Sequence, residues 1–328
     1  MKTLQKILIV LCILAAFTGF LFFDAWQIAP RRYNVRNETL SDEKIPSQLN
    51  DVSILFFSDL EYGTFMNEER LAKLCDRISL LAPDIVIFGG DLYDEKASFS
   101  EESGALLSSM LASIDAPLGK FAVFGDNDHI SEDMLAHVQA VLYAGNFEVL
   151  NNRSVKLHNN GTQSITLIGL DSGLNGMQDV AAAYSEVSVN SYTITVCHTP
   201  DSASKIPEDL TDYYLCGHSH GGQAYWFFGA MYTPAMASVW LRGRHYTDGF
   251  TIDITNGVGT TGKDVRFLCD AEVVLYRLKG AKPEPQASGE LETPPAEEAP
   301  AEEAPAETEE PVPEPAPEQP ENGEGGGS

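Results

Sequence analysis

The stretch Cys216-Gly217-His218-Ser219-His220-Gly221-Gly222 decides how the rest of this chain is read. Two histidines separated by one small residue and bracketed by glycines suit imidazoles turned toward a cation on a tight loop. Neutral imidazole is the commonest side-chain metal ligand, and glycine lets backbone approach a bound ion or phosphate closely. Alone, such a motif also fits a surface loop. Upstream, however, Asp59, Asp91, Asp126 and His198 each stand just past an apolar, strand-like run. A strand end followed by a ligand-type residue, repeated five times, is hard to explain as solvated loop.

The runs themselves alternate strand and helix. Residues 52–57 read as a strand ending in Ser58-Asp59, and residues 85–88 as a buried strand leading into Gly89-Gly90-Asp91. Residues 121–124 deliver Gly125-Asp126. Between them the 3.6-residue periodicity predicts helices from about 68, capped by Asn67, over 101–114, and after Ser131. The second half is richer in strand, at 154–157, 164–168, 192–197, 213–216, 250–255 and 273–278. Asn159-Asn160-Gly161 marks a hairpin between the first two of these. Helices alternating with short buried strands imply an α/β architecture with helices covering the sheets and ligands beyond the carboxyl ends of the strands.

The formal net charge of −27 over 328 residues divides unevenly. Residues 281–328 hold 14 glutamates and one lysine in a Pro-Ala-Glu-Glu-Ala repeat, so about half the excess lies there. Such a segment cannot bury enough apolar surface to fold and is expected to be a disordered tail. Neither half carries a basic stripe, which excludes nucleic-acid binding by phosphate neutralisation. The five cysteines do not form a disulfide framework; Cys197 and Cys216 read as buried small hydrophobes, with thiolate ligation the alternative.

At the N-terminus, residues 7–23 are uncharged and mostly apolar, followed by Trp26. A spanning helix needs roughly 17–25 such residues. A cleaved signal peptide is the rival reading, but the run ends in Phe20-Leu21-Phe22-Phe23 rather than in small residues. The expected organisation is a transmembrane anchor over 1–30, a linker over 31–50, a catalytic domain over 51–280 and the tail over 281–328. The expected location is the cell membrane, with the catalytic body extracytoplasmic and the protein a monomer.

Taken together, Ser58-Asp59-Leu60-Glu61, Gly90-Asp91-Leu92-Tyr93-Asp94, Gly125-Asp126-Asn127-Asp128, Cys197-His198-Thr199-Pro200 and Gly217-His218-Ser219-His220 resemble the blocks of the calcineurin-like metallophosphoesterases. The family pattern runs D-x-H, G-D-x-x-D, G-N-H-D/E, a lone H, then G-H-x-H. The stretch from Asn256 to Phe267 is similar to the closing segment of the family's membrane-anchored bacterial branch. The resemblance implies a two-sheet β-sandwich flanked by helices and two divalent metal ions sharing a hydroxide that attacks phosphorus. It implies Asp91 as the bridge, Asp59 and His220 at one ion, and Asp126, His198 and His218 at the other. Asp94 and Asp128 are expected to support the loops.

Two departures stand out. Glu61 replaces a family histidine, and its oxygen character favours Mn²⁺ or Mg²⁺ over softer ions, with Fe or Zn still open. Asn127 stands where the family has a catalytic histidine, and a carboxamide cannot deliver a proton near neutral pH. His129 or His245 could supply that acid. The expected substrate is a phosphorylated small molecule or a lipid-linked phosphate near the membrane. Two alternatives stay open, a non-catalytic metal- or phosphate-binding envelope protein and a domain with one structural ion.

Overall fold

In the computed structural model, residues 2–226 and 228–280 are described; the acidic tail at 281–328 lies outside them. Five helices and fourteen strands are named among the described residues, in the order α1 (Lys2–Phe23), β1 (Asn34–Asp42), β2 (Ser53–Phe57), α2 (Glu68–Leu81), β3 (Ile85–Phe88), α3 (Glu101–Ala112), β4 (Gly119–Ala122), α4 (Glu132–Ala144) and β5 (Glu148–Val149). The second half runs β6 (Arg153–His158), β7 (Ser164–Gly169), α5 (Val180–Tyr184), β8 (Thr193–Val196), β9 (Tyr213–Cys216), β10 (Tyr225–Trp226), β11 (Gly229–Ala230), β12 (Gly243–Tyr246), β13 (Thr251–Ile254) and β14 (Glu272–Gly280).

Two six-stranded sheets result. The first has the order β1-β14-β2-β3-β4-β5, and β2 to β5 are mutually parallel. The second has the order β12-β13-β9-β8-β7-β6, parallel from β13 to β7. Side chains alternate across each strand and divide the core into three layers. Ile54, Phe56, Ile87 and Tyr276 meet Leu167, Ile194 and Leu215 between the sheets. Leu55, Phe57, Val86 and Phe88 turn instead to α2, α3 and α4, through Leu71, Leu107 and Val138. Ile168, Tyr214 and Ile252 pack on the outer side of the second sheet with Tyr184 of α5. Because β2, β3 and β9 are covered on both faces, they read as almost wholly apolar runs, while β8, equally buried, alternates threonine with isoleucine and valine.

Helix starts follow local chemistry. Asn67 accepts the Arg70 N–H, Ser131 accepts the Met134 N–H, and Ser100 and Ser103 form a reciprocal cap on α3. β6 and β7 make the antiparallel pair expected around Asn160, with His158 opposite Ser164.

The 31–50 segment departs from the linker reading. Asn34–Asp42 is the edge strand β1, in parallel register with β14 from Asn34–Glu272 to Asp42–Gly280. Its sequence is polar because an edge strand needs only its backbone ladder and a few inward apolar groups, here chiefly Leu40. Charge at an edge also discourages pairing with other chains. Arg36 on this strand reaches between the sheets, Nη2 lying 2.8 Å from Oδ1 of the fully buried Asp253. Tyr213 and Tyr276 donate to the other carboxylate oxygen at 3.0 and 2.9 Å. Burial alone would raise the Asp253 carboxyl, but Arg36 and the two phenols hold it below the ordinary range.

Arg36→Met should therefore strand a buried carboxylate and cost about 3–5 kcal/mol of unfolding free energy, as breaking one side of a buried pair does. Since the folded Asp253 carboxyl lies below its unfolded value, the stabilisation is complete above pH ~4 and fades as acid protonates the folded group. Denaturant melts of both proteins from pH 7 downward should show the gap closing. A constant gap would refute the assignment.

Candidate metal centre

Five of the seven expected ligand residues leave their strands in the left-handed region: Asp59, Glu61, Asp91, His218 and His220 have φ of 56°, 54°, 60°, 65° and 49°. Non-glycine residues rarely adopt this conformation, and clusters of it accompany functional sites. Here the turn ends β2, β3 or β9 and swings the side chain back over the strand ends. The loops approach so closely that a Cβ on Gly125 would collide with Asp91 and one on Gly217 with Ser58.

Two groups of side chains converge. Asp91, Asp126, His198 and His218 form one, and Asp59, Glu61 and His220 the other; within each, the candidate ligand atoms lie within 4.8 Å of one another. His198 Nε2 is 3.1 Å from Asp91 Oδ2 and 3.2 Å from Asp126 Oδ1, and His218 Nδ1 is 2.8 Å from Asp126 Oδ1. His220 Nε2 is 3.6 Å from Asp59 Oδ1 and 3.4 Å from Glu61 Oε1. The groups adjoin, since His198 Nε2 is also 3.8 Å from Asp59 Oδ1.

The outward ring nitrogens of His198 and His218 are occupied. His198 Nδ1 lies 2.7 Å from the Gly89 carbonyl and His218 Nε2 lies 2.6 Å from that of Ala235. A proton donated to each carbonyl leaves the inward nitrogen with its lone pair, the arrangement that orients metal-binding histidines. Asp128 accepts from the backbone N–H groups of Asp91, Leu92 and Gly125 at 2.8–3.1 Å and ties two ligand loops together. Asp94 accepts from Thr64 Oγ1 at 2.6 Å and the Lys96 N–H at 2.9 Å.

Buried together, these residues are electrostatically unbalanced on their own, and that tests their fit to a cation. Burial, then Asp91 and Asp59, push the Glu61 carboxyl well above its ordinary range. Burial raises Asp91 to about 7 against the pull of His198. Asp126 is held low despite burial because His198 and His218 stand beside it. Burial brings His220 down to about 4. Asp126 Oδ1 and His198 Nε2 are buried, near each other, yet misaligned for a hydrogen bond. Cations would neutralise the carboxylates and satisfy both atoms.

A calcineurin-like phosphoesterase family model matches residues 52–222, just over half of the chain. The chain belongs to this family. The phosphodiesterase YaeI of Escherichia coli is 30% identical over 232 residues, covering 69% of this chain and 81% of that protein. The uncharacterized metallophosphoesterase YkuE of Bacillus subtilis is 27% identical over 253 residues, covering 77% and 87%. A Danio rerio transmembrane protein with a metallophosphoesterase domain is 24% identical over 252 residues, covering 73% of this chain and 56% of that one. The family uses a dinuclear metal centre, and the two side-chain groups are candidate sites for it.

The two departures from the family pattern touch each other. Asn127 Nδ2 donates to Glu61 Oε1 and Oε2 at 3.3 and 3.4 Å, while its backbone N–H donates to Asp91 Oδ1 at 2.9 Å. Asn127 thus borders both groups. His245 does not join them. It sits within β12 opposite Ile252, its Nε2 3.0 Å from the Arg242 carbonyl. Strand pairing fixes it along the sheet rather than at the loop end. His129 Nε2 lies 2.6 Å from Asp171 Oδ1.

Sequence reasoning missed Arg266, whose fully buried guanidinium lies 2.6–3.1 Å from the carbonyls of Asn256, Gly257 and Gly259. It clasps the segment that backs Asp59, where Gly259 N–H donates to the Asp59 carbonyl at 2.7 Å. The position of Arg266 in the family-like closing segment was its available signal.

Proposed function

We propose that the protein is a metal-dependent phosphoesterase that hydrolyses a phosphoester or pyrophosphate bond, with α1 anchoring it in the cell membrane and the catalytic body outside. The observation carrying this reading is the adjacency of two ligand groups at the strand ends of two facing sheets. Asp59, Glu61 and His220 would hold one divalent ion, and Asp126, His198 and His218 the other, with Asp91 between them. When bound, such a pair lowers the pKa of water and neutralises phosphoryl charge. The chain's own part is to fix geometry. Asp128 holds the Asp91 and Asp126 loops together, and the Gly89 and Ala235 carbonyls aim His198 and His218. The Asn127 carboxamide can orient a phosphoryl oxygen but has no proton to give a leaving group.

Oxygen-rich ligation supports Mn²⁺ as the preferred ion. The described residues include one helix, near the N-terminus, long and apolar enough to cross a membrane, which supports the anchor. The test is metal content of the full-length protein after Mn²⁺ loading and desalting. It is paired with turnover of phosphomonoesters, phosphodiesters and pyrophosphates. About two ions per chain and hydrolysis of one class are expected; an absence of bound metal would overturn the reading.

A non-catalytic binding protein is the second reading, favoured by the contact of Asn127 with Glu61. It predicts bound metal without turnover of any class.

A further inference from the structure

The metal centre is continued by an apolar flap that nothing in the reaction requires. Three residues after Gly222, β10 and β11 form a short hairpin. Phe228 at its turn is 96% exposed, Met231 just beyond it 77%, and Leu268 on the neighbouring turn 68%. Trp226 stacks on Phe267 with ring centroids 5.3 Å apart, and the Tyr225 N–H donates to the Phe267 carbonyl at 2.8 Å. The hairpin and the Leu268 turn are therefore one surface. The segment that leaves this hairpin reaches the site, because the Ala235 carbonyl is the partner of His218.

This surface is continuous with the base of α1. The Arg266 N–H donates to the Ala25 carbonyl at 2.9 Å, one residue before Phe267. Arg31 pairs with Asp264 at 3.1 Å, and Arg70 Nη1 with the other Asp264 oxygen at 3.0 Å. Ala25, Ala29 and Pro30 are buried, so the helix end is docked on the body. Consecutive Cα atoms lie 3.8 Å apart, so Leu268, two residues on, is within roughly 8 Å of Arg266, beside the Ala25 turn where the apolar span would meet the interface. The residues 1–280 carry an acidic excess, yet Arg242 lies over the Tyr225 ring at 4.6 Å and exposed Lys263 is nearby in the chain. Such basic groups suit anionic headgroups.

We propose that the β10–β11 hairpin and the Leu268 turn are a second membrane contact, inserting beside the end of α1 and holding the mouth of the metal centre against the headgroup layer. The inference rests on α1 being an anchor. A phosphate carried at a lipid headgroup would then reach the metal ligands without leaving the bilayer.

The test uses full-length protein reconstituted into phosphatidylglycerol-containing vesicles, with Cys12→Ser removing the exposed native thiol. An environment-sensitive fluorophore is placed singly at Phe228→Cys, Leu14→Cys or Val189→Cys. Val189 is exposed and precedes β8, at the strand end opposite His198. A lipid bearing a nitroxide near its headgroup should quench position 228 several-fold more strongly than position 189, with position 14 lipid-accessible. Accessibility at 14 without quenching at 228 overturns the hairpin contact and leaves the anchor intact. A 228 label shielded from aqueous quencher but untouched by lipid quencher overturns it in favour of a protein partner. No lipid contact at 14 overturns the anchor and the hairpin contact together.

Discussion

Asp91→Asn is expected to abolish turnover and to empty both metal positions. Asp91 belongs to the group with Asp126, His198 and His218, its Oδ2 3.1 Å from His198, and its Oδ1 accepts at 2.9 Å the N–H of Asn127, whose side chain faces Glu61 of the other group; the bridging role proposed for it follows from that position. A carboxamide keeps the shape but loses the charge and one of two ligand oxygens, so neither ion retains its full set. The variant should still fold. Asp91 in the bare protein is raised to about 7 by burial and by Asp126, so its ionised form is already disfavoured there. Removing that charge should leave the metal-free melting temperature unchanged or higher. What should vanish is the added stability from metal, about 2.7 kcal/mol at one hundred times the dissociation constant. Calorimetry with and without Mn²⁺, alongside metal analysis, separates the two effects. Two retained ions with full activity would show that Asp91 is not the bridge.

The site was legible in the sequence where burial leaves a strong linear trace. β2, β3 and β9 are covered on both faces, so each is an almost wholly apolar run, β8 alternates toward His198, and in every case a ligand residue follows within three positions. The helix starts were equally readable, because Asn67 and Ser131 cap within three residues. β1 was not readable, since its nine residues are held by the β14 ladder and by Arg36 on Asp253, more than two hundred positions away. The pairing of His129 with Asp171 is hidden for the same reason. His245 misled because the two arginines just before it, Arg242 and Arg244, mimic a phosphate-binding loop, whereas strand pairing with β13 sets its place. The left-handed conformations of Asp59, Asp91 and His220 had no local signal either. Aspartate and histidine tolerate the left-handed region better than most residues, but it is tertiary packing that selects it at these positions.

The leaving group should decide how fast the wild-type protein turns over. With Asn127 at the position of the family's histidine, and its amide directed at Glu61, that position offers no proton to a departing oxygen. Aryl oxides such as p-nitrophenolate, or the phosphate side of a pyrophosphate, depart without help, whereas simple alkoxides need protonation. A general acid is worth about 10²–10⁴-fold, so rates across a series of esters should fall steeply as leaving-group pKa rises. Asn127→His should flatten that slope and accelerate the poorest leaving groups selectively. The substitution also removes the donor that faces Glu61, whose carboxyl burial already pushes upward, so metal content must be measured in the same preparation. Glu61→His in the Asn127→His background restores the family pattern at both positions and should recover any metal lost. A flat wild-type dependence with chemistry rate-limiting would mean that another group delivers the proton, and His129, held by Asp171, is the neighbouring imidazole to replace next. If metal stays bound while neither protein hydrolyses any ester or pyrophosphate, the non-catalytic reading replaces the enzymatic one.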